Sequence, residues 1–181
     1  MNFLELVKRR RSVRKYADRP IPRETIERCL EAARVSPSAC NSQPWSFIVV
    51  DDPAIKRELA DRAFSSVFAN NAFAKNAPVL VIVITERSKY IARLGGYLKN
   101  VQYSLIDIGI VCEHFILQAE EEGVGTCWLG WFNEKAVKET LKIPPEKKVD
   151  VIISMGYPEP GATIEKPRNS MEEIRRYNVT R

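Results

Sequence analysis

Three arginines and a serine lie within five consecutive residues, Arg10-Arg11-Ser12-Val13-Arg14, just after a short amphipathic N-terminal segment. Guanidinium groups are rigid, forked donors that suit phosphate oxygens, and a serine hydroxyl or a backbone N–H completes such a set. The segment therefore predicts a phosphate-binding site. The alternative is a solvated run of charge, because basic residues on both sides extend the cluster and most such runs bind nothing specific.

The net charge of +5 favours an anionic partner, which is either a nucleic acid or a phosphorylated small molecule. Positive charge gathers at residues 8–15 and again around Lys166-Pro167-Arg168. Aromatic residues are not interleaved with these basic ones, as a stacking platform for single strands requires. We therefore expect no nucleic-acid partner, although a basic nucleic-acid binder stays an alternative that salt-dependent retention on DNA or RNA would reveal.

The number and spacing of the cysteines and the single histidine do not favour a metal site or hydrolytic catalysis. The four cysteines form no C-x-x-C pair and lie in no secretory context, so we expect buried thiols and neither a disulfide framework nor a zinc site. His114 is the only histidine, and it falls within a predicted core helix. We therefore expect no catalytic triad and no metal.

The chain of 181 residues is most simply a single domain, 1–181, with 45% hydrophobic and 28% charged residues. No apolar run approaches the roughly 20 residues that cross a bilayer, and the N-terminus has neither an apolar region nor a cleavage site of a leader peptide. We therefore expect a cytoplasmic protein without a membrane partner.

Hydrophobic periodicity predicts both helices and strands in this domain. Helices are predicted over 2–10 and 22–35, from Asp52, from about Leu98 to 123 and after Asn133, and strands over 45–50, 78–84, 126–132 and 149–155. Strand 78–84 is continuously apolar and so should be covered on both faces, and helix 98–123 is apolar nearly all round and should be the buried central helix. The class is mixed α and β in three layers.

Two stretches do not follow these periods. Residues 36–45 combine two prolines with small polar side chains and end in Trp45, which indicates an ordered loop. Residues 63–76 fit either a core helix or an apolar lid, because their apolar residues suit both. Trp128 and Trp131 line a pocket or belong to the core.

Four motifs in this order resemble the FMN-dependent nitroreductase family and together span nearly the whole chain. They are Arg10-Arg11-Ser12-Val13-Arg14, Pro37-Ser38-Ala39-Cys40-Asn41-Ser42-Gln43-Pro44-Trp45, Gly123-Val124-Gly125-Thr126-Cys127-Trp128-Leu129-Gly130, and Gly156-Tyr157-Pro158 with Lys166-Pro167-Arg168. The resemblance implies an α+β fold of three layers, α-β-α, with a mostly antiparallel central sheet flanked by helices. It also implies an intertwined homodimer with FMN at the interface.

The activity that the resemblance implies is an NAD(P)H-dependent FMN oxidoreductase that reduces nitroaromatics, quinones or related acceptors. The expected mechanism is ping-pong hydride transfer through flavin N5, with NADH or NADPH as the donor. No side chain need act as acid or base, because the flavin carries the chemistry and the protein binds and tunes it.

By the same resemblance, the phosphate is held by Arg10, Lys166 and Arg168. Ser12 lies beside the phosphate or the ribityl chain, and Arg11 is a further cofactor-binding position. Residues two apart in an extended segment point the same way, so Lys166 and Arg168 can converge on one phosphate. The remaining cofactor-binding positions belong to the ring and its polar edge. They are Arg14, Pro37, Ser38, Ala39, Asn41, Gln43, Leu129 and Gly130.

Each group of ring contacts has its own expected role. Arg14 would stabilise the negative charge that develops on the pyrimidine side of the reduced ring. The loop with Asn41 and Gln43 would come from the other subunit, although ordinary turn chemistry also explains these two residues. Gly130 would permit a close approach of the backbone to the ring.

Other functions fit the same resemblance. A family member with dehalogenase or flavin-cleaving chemistry differs in lid residues that the motifs do not contain. A non-catalytic FMN-storing or redox-sensing module would bind the flavin without turnover. No G-x-G-x-x-G fingerprint is present, so the sequence does not distinguish NADH from NADPH.

Overall fold

A computed structural model of the chain describes residues 1–86, 97, 101–161 and 167–178. Within these ranges the elements follow in chain order, and two 3₁₀ segments lie between them. They are α1 (Phe3–Arg9), α2 (Arg23–Arg34), the first 3₁₀ segment (Ala39–Asn41), β1 (Trp45–Val50), α3 (Pro53–Ala63), the second 3₁₀ segment (Ser66–Asn76), β2 (Val79–Thr85), α4 (Tyr103–Glu121), β3 (Gly125–Leu129), α5 (Glu134–Leu141), β4 (Lys148–Gly156) and α6 (Met171–Ile174).

The four strands form one antiparallel sheet in the order β1-β2-β4-β3. In β2, Val79, Val81 and Val83 pack with α2 and α4, whereas the alternate residues pack with α3 and α5. The first six residues of β2 are buried, as expected for a strand that is covered on both faces. The predicted α+β class and its three layers, two of helices around a mostly antiparallel sheet, are confirmed.

The predicted helix boundaries agree closely with the structure because their capping residues behave as expected. Asp52 accepts hydrogen bonds from the N–H groups of Ala54 and Ile55, both at 2.9 Å, and so begins α3. Asn133 caps α5 by accepting from Ala136 N at 3.1 Å. The predicted start of α4 near Leu98 lies outside the described residues, and the described helix begins at Tyr103.

Helix α4 is not buried all round, contrary to the expectation from its composition. Leu105 is 46% exposed and Ile106 is 50% exposed, because only one face of α4 packs against the sheet and α2. Helix α1 has a similar exposed face, with Phe3 and Leu4 on the surface. Within the described ranges, no helix combines the length and the apolar character that a membrane span requires.

All four cysteines lie in described regions and are thiols without disulfides. Cys29 and Cys112 are buried, and burial raises the pKa of each to about 12. Cys40 is exposed, which corrects the expectation of four buried thiols, because it lies in the surface loop before β1. His114 is exposed rather than part of the core, and its Nδ1 lies 2.9 Å from Ile110 O on its own helix.

Candidate functional site

The arginine segment, residues 10–14, leaves α1 and runs along the outer edge of β3. Val13 N donates to Thr126 O at 2.9 Å, and Ser12 forms a parallel bridge with Thr126. Side chains alternate along an extended backbone. Val13 is accordingly buried, whereas Ser12 is half-buried and Arg14 is exposed. The core thus fixes the middle of the segment and leaves the polar side chains outside.

Gly125 allows the segment to approach β3 this closely. A Cβ at Gly125 would lie 2.5 Å from Val13 Cγ2, which real contacts do not permit. Tyr16 holds the other end, because its hydroxyl donates to Val13 O at 2.7 Å and lies 2.8 Å from Ser154 Oγ. Burial raises the pKa of Tyr16, so the phenol stays protonated and can donate. The backbone of the segment is therefore tightly positioned.

Several guanidinium groups of the predicted site have no carboxylate partner in the described part of the chain. Arg9, just outside the site, donates to Glu120 at 2.7 Å, but Arg10, Arg14 and Arg168 form no ion pair with any described residue. Arg14 donates to Ser12 O and Arg168 to Pro167 O, each at 3.3 Å. The positive charge of these side chains is thus not neutralised by described residues, which suits an anionic ligand.

The remaining phosphate candidates differ in what surrounds them. Arg11 donates to the carbonyls of Lys8 and Arg10, so its guanidinium also braces the end of α1. Ser12 Oγ makes no hydrogen bond to another residue in the described part of the chain. Lys166 lies outside the described residues, and with it the expected convergence of Lys166 and Arg168.

The second 3₁₀ segment packs beside the arginine segment and forms an aromatic rim. The guanidinium of Arg14 lies 5.6 Å from the centre of the Phe73 ring, within the range of a cation–π contact. Trp131 Nε1 donates to Val67 O at 2.9 Å, and its ring lies 5.2 Å from that of Phe68. The segment is therefore neither a regular core helix nor a separate lid, but a 3₁₀ segment attached to the loop after β3.

The two tryptophans whose location the sequence left open are both at the surface. Trp131 is 57% exposed and Trp128 is 40% exposed, so neither belongs to the core of the single chain. Between them, Leu129 is buried and ends β3, and Gly130 follows at the surface. A Cβ at Gly130 would meet no atom within 4 Å, so open space lies beside this backbone. A flat ring can therefore approach it.

The loop with Pro37, Ser38 and Ala39 lies at the opposite edge of the sheet, before β1. Ser38 Oγ accepts from Gln43 N at 2.9 Å, and Gln43 Nε2 donates to Asn41 Oδ1 at 2.9 Å. Edge strands β1 and β3 are three strand spacings apart, or about 14 Å. One chain therefore unites the arginine segment with Leu129 and Gly130 but does not bring the loop to them.

Asp107 is a residue of this region that sequence reasoning missed. It is 2% exposed, and its Oδ1 accepts from Ala39 N at 2.9 Å, which joins the loop to α4. The available signal was a lone carboxylate between Ile106 and Ile108 in an apolar helix, because a charged residue is seldom fully buried without a partner.

The residues present are chemically compatible with a flavin mononucleotide. The guanidinium groups of Arg10 and Arg168, which have no carboxylate partner among the described residues, and the Ser12 hydroxyl suit its phosphate. The open space at Gly130 suits its ring. The two features lie on the same edge of the sheet, joined by β3.

Comparison with known proteins agrees with this description. The profile described as "Nitroreductase family" matches residues 7–157. A protein of Methanothermobacter thermautotrophicus with the provisional name NADH dehydrogenase/NAD(P)H nitroreductase is 34% identical over 162 residues, which cover 87% of this chain and 78% of that protein. An iodotyrosine deiodinase from Thermotoga neapolitana is 27% identical over an alignment of 195 positions, which covers 97% of each chain.

The solved structures include an FMN-dependent nitroreductase from Clostridium difficile R20291. It superposes with a TM-score of 0.75 and 27% identity, covering 98% of this chain and 100% of that one. The family match, the similar relative and the shared fold all span most of the sequence. The chain therefore belongs to the nitroreductase family.

Proposed function

We propose that the protein is an FMN-dependent NAD(P)H oxidoreductase that reduces nitroaromatics, quinones or related aromatic acceptors. The observation that carries this proposal is the arginine segment, whose Arg10 and Arg14 lack carboxylate partners in the described structure and lie on the same edge as the open space at Gly130. The names of the archaeal relative and of the clostridial structure support the donor and the cofactor.

The phosphate end of the cofactor is assigned to Arg10, Ser12 and Arg168, with Lys166 as a further cation. Arg10 is half-buried at the end of α1, so a phosphate contact there is partly shielded from water and stronger for it. Arg11, which donates to two carbonyls beside it, shapes the turn that presents these groups.

The ring end is assigned to Arg14, Leu129 and Gly130. When bound, FMN supplies the hydride transfer, accepting from the nicotinamide donor and delivering to the acceptor. Arg14 places a cation beside the pyrimidine side, where it favours the form that carries more negative charge. Gly130 leaves the ring accessible, and the rim with Trp131 and Phe73 borders the same opening. No protein side chain is required to hold or move a proton.

A homodimer completes the proposed site. The loop residues Pro37, Ser38, Ala39, Asn41 and Gln43 precede edge strand β1, which is about 14 Å from the opposite edge strand β3 in one chain, so we assign their contact with this flavin to a second copy. Exposed apolar side chains support such an interface, because burying them on assembly is favourable. They are Phe3, Leu4, Leu105, Ile106, Met171, Ile174 and Tyr177.

Reductive dehalogenation is a second candidate, because a relative named iodotyrosine deiodinase aligns over 97% of the chain. It would use the same flavin site with a halogenated aromatic acceptor.

Steady-state assays separate these functions. Protein loaded with FMN is mixed with NADH or NADPH and with a quinone, a nitroaromatic or an iodinated phenol, and both donor oxidation and halide release are measured. We expect donor oxidation that depends on quinone or nitroaromatic. Halide release alone would favour dehalogenation, and bound flavin without any turnover would favour an FMN-storing or redox-sensing module.

A further inference from the structure

The loop at residues 36–43 holds a backbone conformation that its own residues do not favour. Cys40, Asn41 and Gln43 have φ angles of 52°, 49° and 47°, in the left-handed region that suits glycine. Asparagine tolerates this region, but cysteine and glutamine have no such preference. A strained backbone of this kind persists only where surrounding groups fix it, and it is common at functional sites.

Asp107 is one of the groups that fix this loop. Its Oδ1 accepts the N–H of Ala39 at 2.9 Å, at the first residue of the 3₁₀ turn that contains Cys40. Two local hydrogen bonds continue the arrangement, from Gln43 N to Ser38 Oγ and from Gln43 Nε2 to Asn41 Oδ1, each at 2.9 Å. The carboxylate thus connects the strained turn to the rigid helix α4.

Stability does not explain a carboxylate at this position. Asp107 is 2% exposed, and its Oδ2 is buried without a hydrogen-bond partner in the described structure. A buried carboxylate oxygen without a partner is unfavourable, and apolar replacements of buried charges are often neutral or stabilising. In the described structure the hydrogen bond that the carboxylate accepts comes from the loop, so the loop is the element that we expect it to position.

We propose that Asp107 is a positioning residue that sets the loop so that Asn41 and Gln43 contact the flavin bound by the partner subunit. This inference rests on the proposed function. Asp107 does not touch the flavin and acts through the Ala39 N–H. The hydrogen bond between the two amide side chains presets them as a pair, and the left-handed turn determines the direction in which the pair is presented.

The test compares Asp107→Leu with Asp107→Asn, which keeps an acceptor oxygen. Glu121→Leu is the matched control, since it makes the same kind of change at an exposed position on the same helix. Three quantities are measured: the Tm of the apoprotein, the hydrogen-exchange rate of the Ala39 amide in the apoprotein, and the Kd for FMN from quenching of flavin fluorescence.

For Asp107→Leu we expect an unchanged or higher Tm, Ala39 exchange at least about tenfold faster, and an FMN Kd about tenfold higher. Asp107→Asn should keep both the exchange rate and the Kd within about threefold of wild type, and Glu121→Leu should match wild type in all three. A purely structural role would instead lower the Tm and leave the Kd unchanged.

Wild-type exchange at Ala39 together with a wild-type Kd in Asp107→Leu would overturn the inference, and so would a lower Tm with an unchanged Kd. If Asp107→Leu does not fold, Ala39→Pro breaks the same hydrogen bond by removing its donor, the Ala39 N–H, and leaves Asp107 in place. The extended backbone of Ser38, with φ −147° and ψ 159°, is compatible with a following proline. Ala39→Pro should raise the Kd similarly, and a wild-type Kd there would refute the inference.

These outcomes are distinct from failure of the proposed function. If wild-type protein does not bind FMN at all, the proposed function fails, and with it the flavin contact. The apoprotein exchange rate would still report whether Asp107 holds the loop.

Discussion

Tyr16 connects the arginine segment to the core of the protein. Its hydroxyl donates to Val13 O, lies beside Ser154 Oγ, and Ser154 Oγ in turn donates to Cys127 O at 3.4 Å. The network is buried, and each of these groups has a partner, which is the condition under which buried polar groups add rigidity. It determines where the backbone between Ser12 and Arg14 lies.

Replacing Tyr16 with phenylalanine should destabilise the protein by about 1–3 kcal/mol, because Val13 O is left buried without its donor. Urea unfolding of the apoprotein measures this change. Tyr157→Phe is the matched control, since the Tyr157 hydroxyl makes no hydrogen bond to a described residue and its ring contact with Arg19 is kept. Equal stability of the two variants would show that the Tyr16 hydroxyl does not hold the segment.

Replacing Arg10 with alanine should weaken FMN binding about 10- to 100-fold, as expected for a lost hydrogen bond between two charged groups. The Kd is measured by quenching of flavin fluorescence. Arg57→Ala is the control, because Arg57 is an exposed arginine on α3, away from the arginine segment. A wild-type Kd for Arg10→Ala would remove Arg10 from the phosphate site.

At the scale of elements, β3 begins at Gly125 and is followed by Gly130, and the two glycines differ in the space that surrounds them. Gly125 faces Val13 and has no room for a Cβ, whereas Gly130 just beyond the strand has open space beside it. The first glycine serves packing within the chain, and the second serves the proposed ring. The sequence alone does not separate them, because both are glycines at the ends of one short strand.

Alanine at the two positions should therefore have different effects. Gly125→Ala should destabilise the apoprotein by about 1–3 kcal/mol through overpacking against Val13. Gly130→Ala should leave the apoprotein within about 0.5 kcal/mol of wild type but raise the Kd for FMN. Urea unfolding and flavin titration of both variants measure this. Loss of apoprotein stability in Gly130→Ala, with unchanged FMN binding, would contradict the distinction.

Glu134 connects helix α5 to β4, because its carboxylate accepts hydrogen bonds from Lys148 Nζ and Val149 N. Burial alone would raise the pKa of this carboxyl, but hydrogen bonds from Lys148, Lys138 and the Val149 N–H outweigh burial and lower the pKa to about 2. The folded pKa thus lies below the unfolded value of about 4.3. The carboxylate therefore stabilises the fold above about pH 4.3, and this contribution is lost as the pH falls towards 2.

Glu134→Gln should be less stable than wild type at pH 6, and the difference should shrink as the pH falls from about 4.3 towards 2. Urea unfolding of both proteins across this range gives the two curves. Glu113→Gln is a suitable control, because Glu113 is exposed and makes no hydrogen bond or ion pair with a described residue. A difference that is independent of pH would contradict the assigned ionisation.

At the scale of the whole molecule, the sequence predicts the layers better than the interfaces. The continuously apolar run of β2 and the caps at Asp52 and Asn133 are local signals. Burial on both faces of β2 and local hydrogen bonds at the two caps agree with them. The exposure of Leu105 follows from which face of α4 the sheet covers, and composition does not contain that information. Asp107 was missed for a related reason, because its partner is an amide 68 residues away.

The proposed homodimer explains both the exposed apolar faces of α1 and α4 and the separation of the predicted site residues between the β3 edge and the loop before β1. In that proposed dimer, each copy would contribute an arginine segment and a β3 edge to one flavin and a loop with Asn41 and Gln43 to the other. FMN binding is therefore the property on which the site assignments, the dimer and the activity all depend.

The most direct test is the visible absorption spectrum of the purified protein after incubation with FMN and passage through a desalting column. We expect flavin bands that correspond to about one FMN per chain, and their loss on anaerobic addition of NADH or NADPH. A colourless protein that does not retain FMN would contradict the proposed cofactor, the roles of Arg10 and Gly130, and the proposed oxidoreductase activity together.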